Sequence, residues 1–196
     1  MQKINFIKTS IPESQYKQKY SLGNTIVYHI GTTFNNEQNT YECYECTVPA
    51  STFDEDMVKS SFSEFIAKIN AMQLKQAKAD KIAEIAAYDT SDKVNGFILN
   101  GMTVWLDKAT RVGLMNSTTI AKWAGQQTTT LWLGDIKLEV DCDKAIQLLS
   151  ALEMYALECF NVTSAHKAAV AELKTIKEVE AFDVTADYPK QLEMKL

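Results

Sequence analysis

Six side chains in this 196-residue chain offer thiol or imidazole chemistry: Cys43, Cys46, Cys142, Cys159, His29 and His166. Cys43-Tyr44-Glu45-Cys46 is a C-x-x-C, the spacing of half a zinc site or of a dithiol redox pair. Zinc holds sulfur at about 2.3 Å, so a ligand pair needs a tight turn. A redox pair needs a helix N-terminus, where amide dipoles stabilise the thiolate. Tyr41 to Val48 reads instead as a strand. Residues three apart on a strand lie about 10 Å apart and face opposite ways. The expectation is one thiol inside and one outside, neither sharing a metal nor pairing with the other. Metal or redox use requires the strand reading to fail, and a second C-x-x-C is missing.

Cys142 follows a predicted helix cap, a position that favours a thiolate. Asp141 and Asp143 flank it, and their charge opposes ionisation. Cys159 falls on an apolar stripe and is expected in the core. His29 alternates with Tyr28 in a strand, and His166 lies near the start of a predicted helix. No motif joins either histidine to a cysteine as base and nucleophile. Glycine-rich nucleotide loops, nucleophile elbows and H-E-x-x-H are also missing from the sequence. The expectation is a protein that is not an enzyme, with no cofactor and no metal.

Composition narrows the classes further. The chain is 46% hydrophobic and 23% charged, which suits a globular protein with a substantial core. Its net charge is −5 and Arg111 is its single arginine. Nucleic-acid recognition draws on a basic face and arginine forks, so nucleic acid is not an expected partner. MQKINFIKTS lacks the apolar segment of a secretory signal. No apolar run approaches the roughly 18 residues that span a bilayer, so a membrane is not expected either. The four cysteines are therefore read as thiols.

The elements that position these residues fall into an α+β fold in three regions. Residues 1–50 form an N-terminal β-hairpin region: Thr25–Ile30 and Tyr41–Val48 are strands joined by the polar turn Asn35–Asn39. Residues 51–90 form a long connecting helix. Ser51-x-x-Asp54 and Thr52-x-x-Glu55 are capping-box patterns, and Asp54 to Ala87 contains no Gly or Pro. Val58, Phe62, Phe65, Ile69 and Met72 repeat at 4-3-4-3 spacing, a heptad seam. That seam reads either as the face laid on a neighbouring domain or as a coiled-coil oligomer interface.

Residues 91–196 form a C-terminal domain of hairpins packed on helices. Asn100-Gly101 marks one hairpin, Leu131 to Val140 is another, and Asp107 and Asp141 cap the helices that follow. The two hairpin-cap-helix units are either a duplication or shared grammar. Ile146, Leu149, Leu152, Ala156 and Cys159 make an apolar stripe that Asn161–Ser164 is expected to end. A further helix from Ala165 to Leu173, a short helix from Ile176 to Phe182 and a last strand within Gln191–Leu196 complete the reading. Trp105, Trp132 and Tyr155 are expected as core anchors of this domain, with a binding platform as the other reading of the two tryptophans.

An ordered series of motifs carries a resemblance. It runs Asn95-Gly96-Phe97, Leu99-Asn100-Gly101, Val104-Trp105-Leu106-Asp107 with Thr110-Arg111, and Thr130-Leu131-Trp132-Leu133-Gly134. It continues with Leu148-Leu149, Leu152-Glu153, Tyr155-Ala156 and Cys159, then Thr163, His166 and Ala168-Ala169-Val170. Glu178-Val179, Ala181-Phe182-Asp183 and Tyr188-Pro189 close it. This half of the chain resembles a phage- and prophage-encoded domain family of unknown function, four-three-seven-six. That family ends tail-module, tail fibre and tail fibre assembly-type proteins. Members often carry Tyr where Phe182 stands. The resemblance implies a virion or virion-assembly role and supplies no catalytic residues. Two readings follow. One is a structural protein of the phage tail or virion, made in the bacterial host cytoplasm. It would associate with itself as a dimer or trimer through Val58, Phe62, Phe65, Ile69 and Met72, and with other phage structural proteins. The other is a tail fibre assembly chaperone absent from the mature particle.

Overall fold

Strand β3 (Thr25–Asn35) turns back into β4 (Thr40–Pro49), the hairpin that the sequence signals. Asn35 holds the turn by accepting from the amides of Glu37 and Gln38, and Asn39 takes a left-handed φ of 52°. Two strands escape the sequence reading, β1 (Ile7–Pro12) and β2 (Lys19–Leu22). The four form an antiparallel sheet in the order β1-β4-β3-β2. Both are short edge strands with largely exposed side chains, so neither shows a clean apolar alternation.

The computed structural model describes residues 4–195. Its contacts divide into two compact units, Met1–Gln73 and Leu74–Leu196. The boundary lies inside helix α1 (Glu55–Asp89), not at either end of it. The three expected regions therefore become two. Asp54 caps α1 alone, accepting from the amides of Asp56 and Met57. The overlapping capping boxes at Ser51 and Thr52 are not used, because Ala50–Thr52 forms a separate 3-10 turn.

In the first unit, register puts Ile26, Tyr28 and Ile30 opposite Val48, Cys46 and Tyr44. Phe6, Tyr28, Cys46, Val48 and Val58 form the core on this face, with Phe62 and Phe65 packed against it. Gly31 makes that packing possible. A Cβ there would lie 2.7 Å from Phe62 Cζ, and the residue adopts φ +65°, which only glycine tolerates freely. The opposite face is covered as well. Tyr16 stacks on Tyr41 at 4.2 Å, and buried His29 binds the carbonyl of Lys17 through Nδ1 at 2.5 Å. Cys43 and Cys46 do face opposite ways, yet both are buried. The expectation of one thiol outside fails because both faces of β4 are occupied.

The second unit is built on helix α4 (Cys142–Glu172). Its stripe of Leu149, Leu152, Ala156 and Cys159 is buried as expected, and Tyr155 joins it. The helix does not stop at Asn161–Ser164. The Thr163 hydroxyl is engaged by Asp89 at 2.7 Å and Tyr188 at 2.8 Å, so it does not compete for the helix backbone. His166 consequently lies deep within α4 and is buried.

Around α4 stand α2 (Asp92–Asn95), the hairpin of β5 (Phe97–Leu99) and β6 (Met102–Val104), and α3 (Lys108–Trp123). The hairpin of β7 (Thr128–Leu133) and β8 (Ile136–Asp141) follows, then α5 (Ile176–Glu180). Asn100 and Gly101 both have positive φ, as a two-residue hairpin turn requires. The expected last strand is β9 (Glu193–Met194), which pairs parallel with β5. The later half of α1 belongs to this unit: Ile85 is fully buried beside Val170 and Val184, with Ile82 packed against them.

Two core assignments need correction. Trp105 and Trp132 are exposed, while Tyr155 is buried. Val104 and Leu106 point inward, and so do Leu131 and Leu133. Period-two alternation then places each tryptophan outward. Stability should follow this pattern. In urea unfolding, Leu131→Ala should cost about 2–5 kcal/mol and Trp132→Ala less than about 1 kcal/mol. A fragment beginning at Leu74 should melt cooperatively. One beginning at Ser91 should not, because it lacks Ile82, Ile85 and Tyr88.

Candidate groove beside Arg111

Asp107 starts α3 by accepting from the Thr110 amide at 2.9 Å and the Thr110 hydroxyl at 2.6 Å. These bonds, the hydroxyl first, hold its carboxyl below the usual aspartate range. The cap fixes the first turn of α3 and so places Arg111 one turn on. Arg111 is only 8% exposed. Its Nε donates to Glu153 Oε1 at 2.8 Å and its Nη1 to the Leu106 carbonyl at 2.7 Å. Glu153 comes from α4 and Leu106 from the segment after β6. Three elements therefore meet at one guanidinium.

Along α4, Glu153, Leu157 and Phe160 recur at helical spacing and share a face. That face and Trp105 wall a groove of about 400 Å³ with Arg111 and Glu153 among its lining residues. Trp105 is 45% exposed, Leu157 50% and Phe160 62%. Met154, also on α4, is exposed too. The arrangement is aromatic and aliphatic surface around a fixed ion pair. Its chemistry is recognition: it offers apolar area, fixed donors and carboxylate acceptors.

The Thr163 hydroxyl donates to Asp89, a lining residue of the groove, and also meets the Tyr188 hydroxyl. His166 packs edge-on against the rings of Phe182 and Tyr188 at 5.3 and 5.5 Å. Its Nδ1 has no hydrogen-bond partner among the described residues. Tyr155 donates to the Val94 carbonyl, and Cys159 Sγ lies 3.3 Å from the same oxygen. Burial pushes the hydroxyl of Tyr155 and the thiol of Cys159 up.

The seam expected to join copies has another role at its first three positions. Val58 is fully buried, and Phe62 and Phe65 pack on Phe6 and Tyr44. All three cover the sheet of their own unit. Ile69 is half-buried and Met72 exposed. His29 meets Glu45 Oε2 through Nε2 at 3.1 Å, so it bridges that carboxylate and the Lys17 carbonyl. Cys142 is buried, with Sγ 3.4 Å from the Gln126 carbonyl. Among the described residues, no group of three or more His, Cys, Asp or Glu is placed to hold a metal ion.

Sequence reading did not find the groove. Trp105, Arg111 and Glu153 appear in the motif series, while Leu157 and Phe160 belong to none of the motifs and lie off the predicted stripe. One signal was available: a carboxylate flanked by the apolar residues of the stripe, in a chain with one arginine.

A family model described as a domain of unknown function (DUF4376) matches residues 76–186. The chain belongs to the DUF4376 family. The matched region begins just inside the second unit, and the whole groove lies within the DUF4376 region. No curated protein and no solved structure matches the chain. Among the described residues, no helix is long and apolar enough to cross a membrane.

The thiols of the first unit make a pH prediction. Burial, then the charge of Glu45, pushes the Cys46 thiol from 9.0 up to about 11. Burial and nearby glutamates raise Cys43 as well. The folded state thus keeps these protons after the unfolded chain has lost them. Their contribution to stability is complete below about pH 9 and is lost as pH rises toward 11. Urea unfolding across that range should show a decline. Cys46→Ala, which removes one titration, should make the decline shallower.

Proposed function

We propose that this chain is a phage tail or virion protein that acts through protein–protein contacts made by its DUF4376 unit. The observation that carries this reading is the groove walled by Trp105, Leu157 and Phe160. Large apolar side chains stand exposed there although the unit has a full core beneath them. Contiguous exposed apolar surface rimmed by polar groups is characteristic of contact sites. Tryptophan in such a patch is among the residue types that dominate interface energetics, and the buried Arg111–Glu153 pair fixes the wall beside it. The resemblance to tail-module proteins supplies the biological setting, and the groove supplies the means.

Self-association remains part of the proposal, with the contact surface moved. Val58, Phe62 and Phe65 cover their own sheet, so the DUF4376 unit is the better candidate for joining copies. The alternative, a tail fibre assembly chaperone that leaves before the particle matures, uses the same groove transiently.

Mass spectrometry of particles purified from a producing lysate separates the two. The structural reading expects peptides of this chain at stoichiometric levels in tail fractions. The chaperone reading expects them in the lysate alone. In either case, Trp105→Ala combined with Phe160→Ser should leave the fold intact and reduce the yield of infectious particles. Unchanged yield with the double variant would remove the groove from the function.

A further inference from the structure

The DUF4376 unit carries a second unpartnered apolar feature, and it is convex. Trp123, the last residue of α3, is 82% exposed, and Ile120 one turn earlier is 62% exposed. Lys122 beside them is tied back to Asp143 of the same chain. The two apolar side chains therefore project beyond a charge that is already paired.

The groove and this projection cannot meet within one chain. Arg111 and Trp123 lie on the same rigid helix, twelve residues or about 18 Å apart. Trp123 can enter a groove only on another molecule. Resting on the reading of the groove as a protein contact site, we propose that its occupant is a second copy of this chain, entering with Trp123 and Ile120 of α3.

Size and chemistry both fit. A volume of about 400 Å³ accommodates an indole with part of a neighbouring aliphatic side chain. Trp105, Leu157 and Phe160 with Ile120 and Trp123 leave on the order of 700 Å² of apolar surface to cover, given what single aromatic side chains bury. A standard interface of about 1,200–2,000 Å² that is a little over half apolar needs about that much. A buried indole N–H is a donor that requires an acceptor. The groove supplies one. Arg111 engages Oε1 of Glu153, and no described residue donates to the other oxygen of that carboxylate. The lining charges are Asp89, Asp107 and Glu153 against Lys108 and Arg111. This acidic excess suits an incoming donor and disfavours an incoming carboxylate.

The contact is heterologous: one surface of the first copy meets a different surface of the second. Such a contact leaves a free groove at one end and a free Trp123 at the other, so it closes into a ring or extends as a chain of subunits. It predicts a result that an isologous dimer does not. Trp123→Ser removes the projection and keeps the groove. Leu157→Ser with Phe160→Ser removes the groove wall and keeps the projection. All three positions are exposed, so circular dichroism and melting should be unchanged.

By sedimentation velocity at about 50 µM, a concentration that reveals micromolar association, wild-type protein should form dimers and larger species. Each variant alone should be a monomer. An equimolar mixture of the two should form a dimer and nothing larger, because one intact groove meets one intact Trp123. The inference is overturned by a monomeric wild type, by Trp123→Ser protein that still assembles, or by a mixture that stays monomeric. Wild-type protein that is monomeric, with groove variants that still lower particle yield, would place a different protein in the groove. That outcome sinks the self-contact and leaves the proposed function standing.

Discussion

The Val94 carbonyl accepts from the Tyr155 hydroxyl, and Cys159 Sγ lies against the same oxygen. This one acceptor ties the short α2 turn to the middle of α4. The second unit depends on it, because α2 feeds β5, and β5 holds both β6 and the parallel strand β9. A buried carbonyl without partners would cost about 1–3 kcal/mol. With Tyr155 in place, the polar end of α2 sits inside an apolar cluster of Val94, Phe97, Leu99, Leu149 and Leu152. The groove follows from the same anchoring. Once the buried side of α4 is fixed, Glu153, Leu157 and Phe160 turn to the side where Arg111 arrives.

Much of the architecture was legible because local chemistry and tertiary need agree. The Asn100-Gly101 turn, the Asp107 and Asp141 caps and the α4 stripe each appear where residue type and periodicity place them. The misreadings share a cause: a local signal was overruled by a distant partner. Thr163 looks like a helix terminator until Asp89 and Tyr188 occupy its hydroxyl. One of Cys43 and Cys46 looks like a surface thiol until residues on both faces of β4 cover the sheet. Val58, Phe62 and Phe65 follow a heptad spacing that suits a partner helix and a sheet surface equally well. Periodicity reports that a face is covered without reporting by what.

The candidate groove was legible only in fragments. Hydropathy marks Trp105, Trp132, Leu157 and Phe160 alike as core material, and what separates inside from outside is strand parity and helix phase. A one-residue shift in register exchanges the two faces of a strand. Trp105 follows the inward Val104 at the end of β6, Trp132 follows the inward Leu131 within β7, and both face out. Trp105 shares a groove with Glu153, Leu157 and Phe160 of α4, and that juxtaposition spans about fifty residues of sequence, beyond what a local pattern holds.

The thiols are distributed in a way that makes the chain its own recorder of motion. Cys43 and Cys46 lie inside the first unit, Cys142 and Cys159 inside the second, and all four are reduced and buried. An alkylating reagent reaches such a sulfur only during an opening event. The pace at which each pair is modified is then a clock for the unit that holds it. Two clocks in one chain, read by the masses of the cysteine-bearing peptides, would time the breathing of each half.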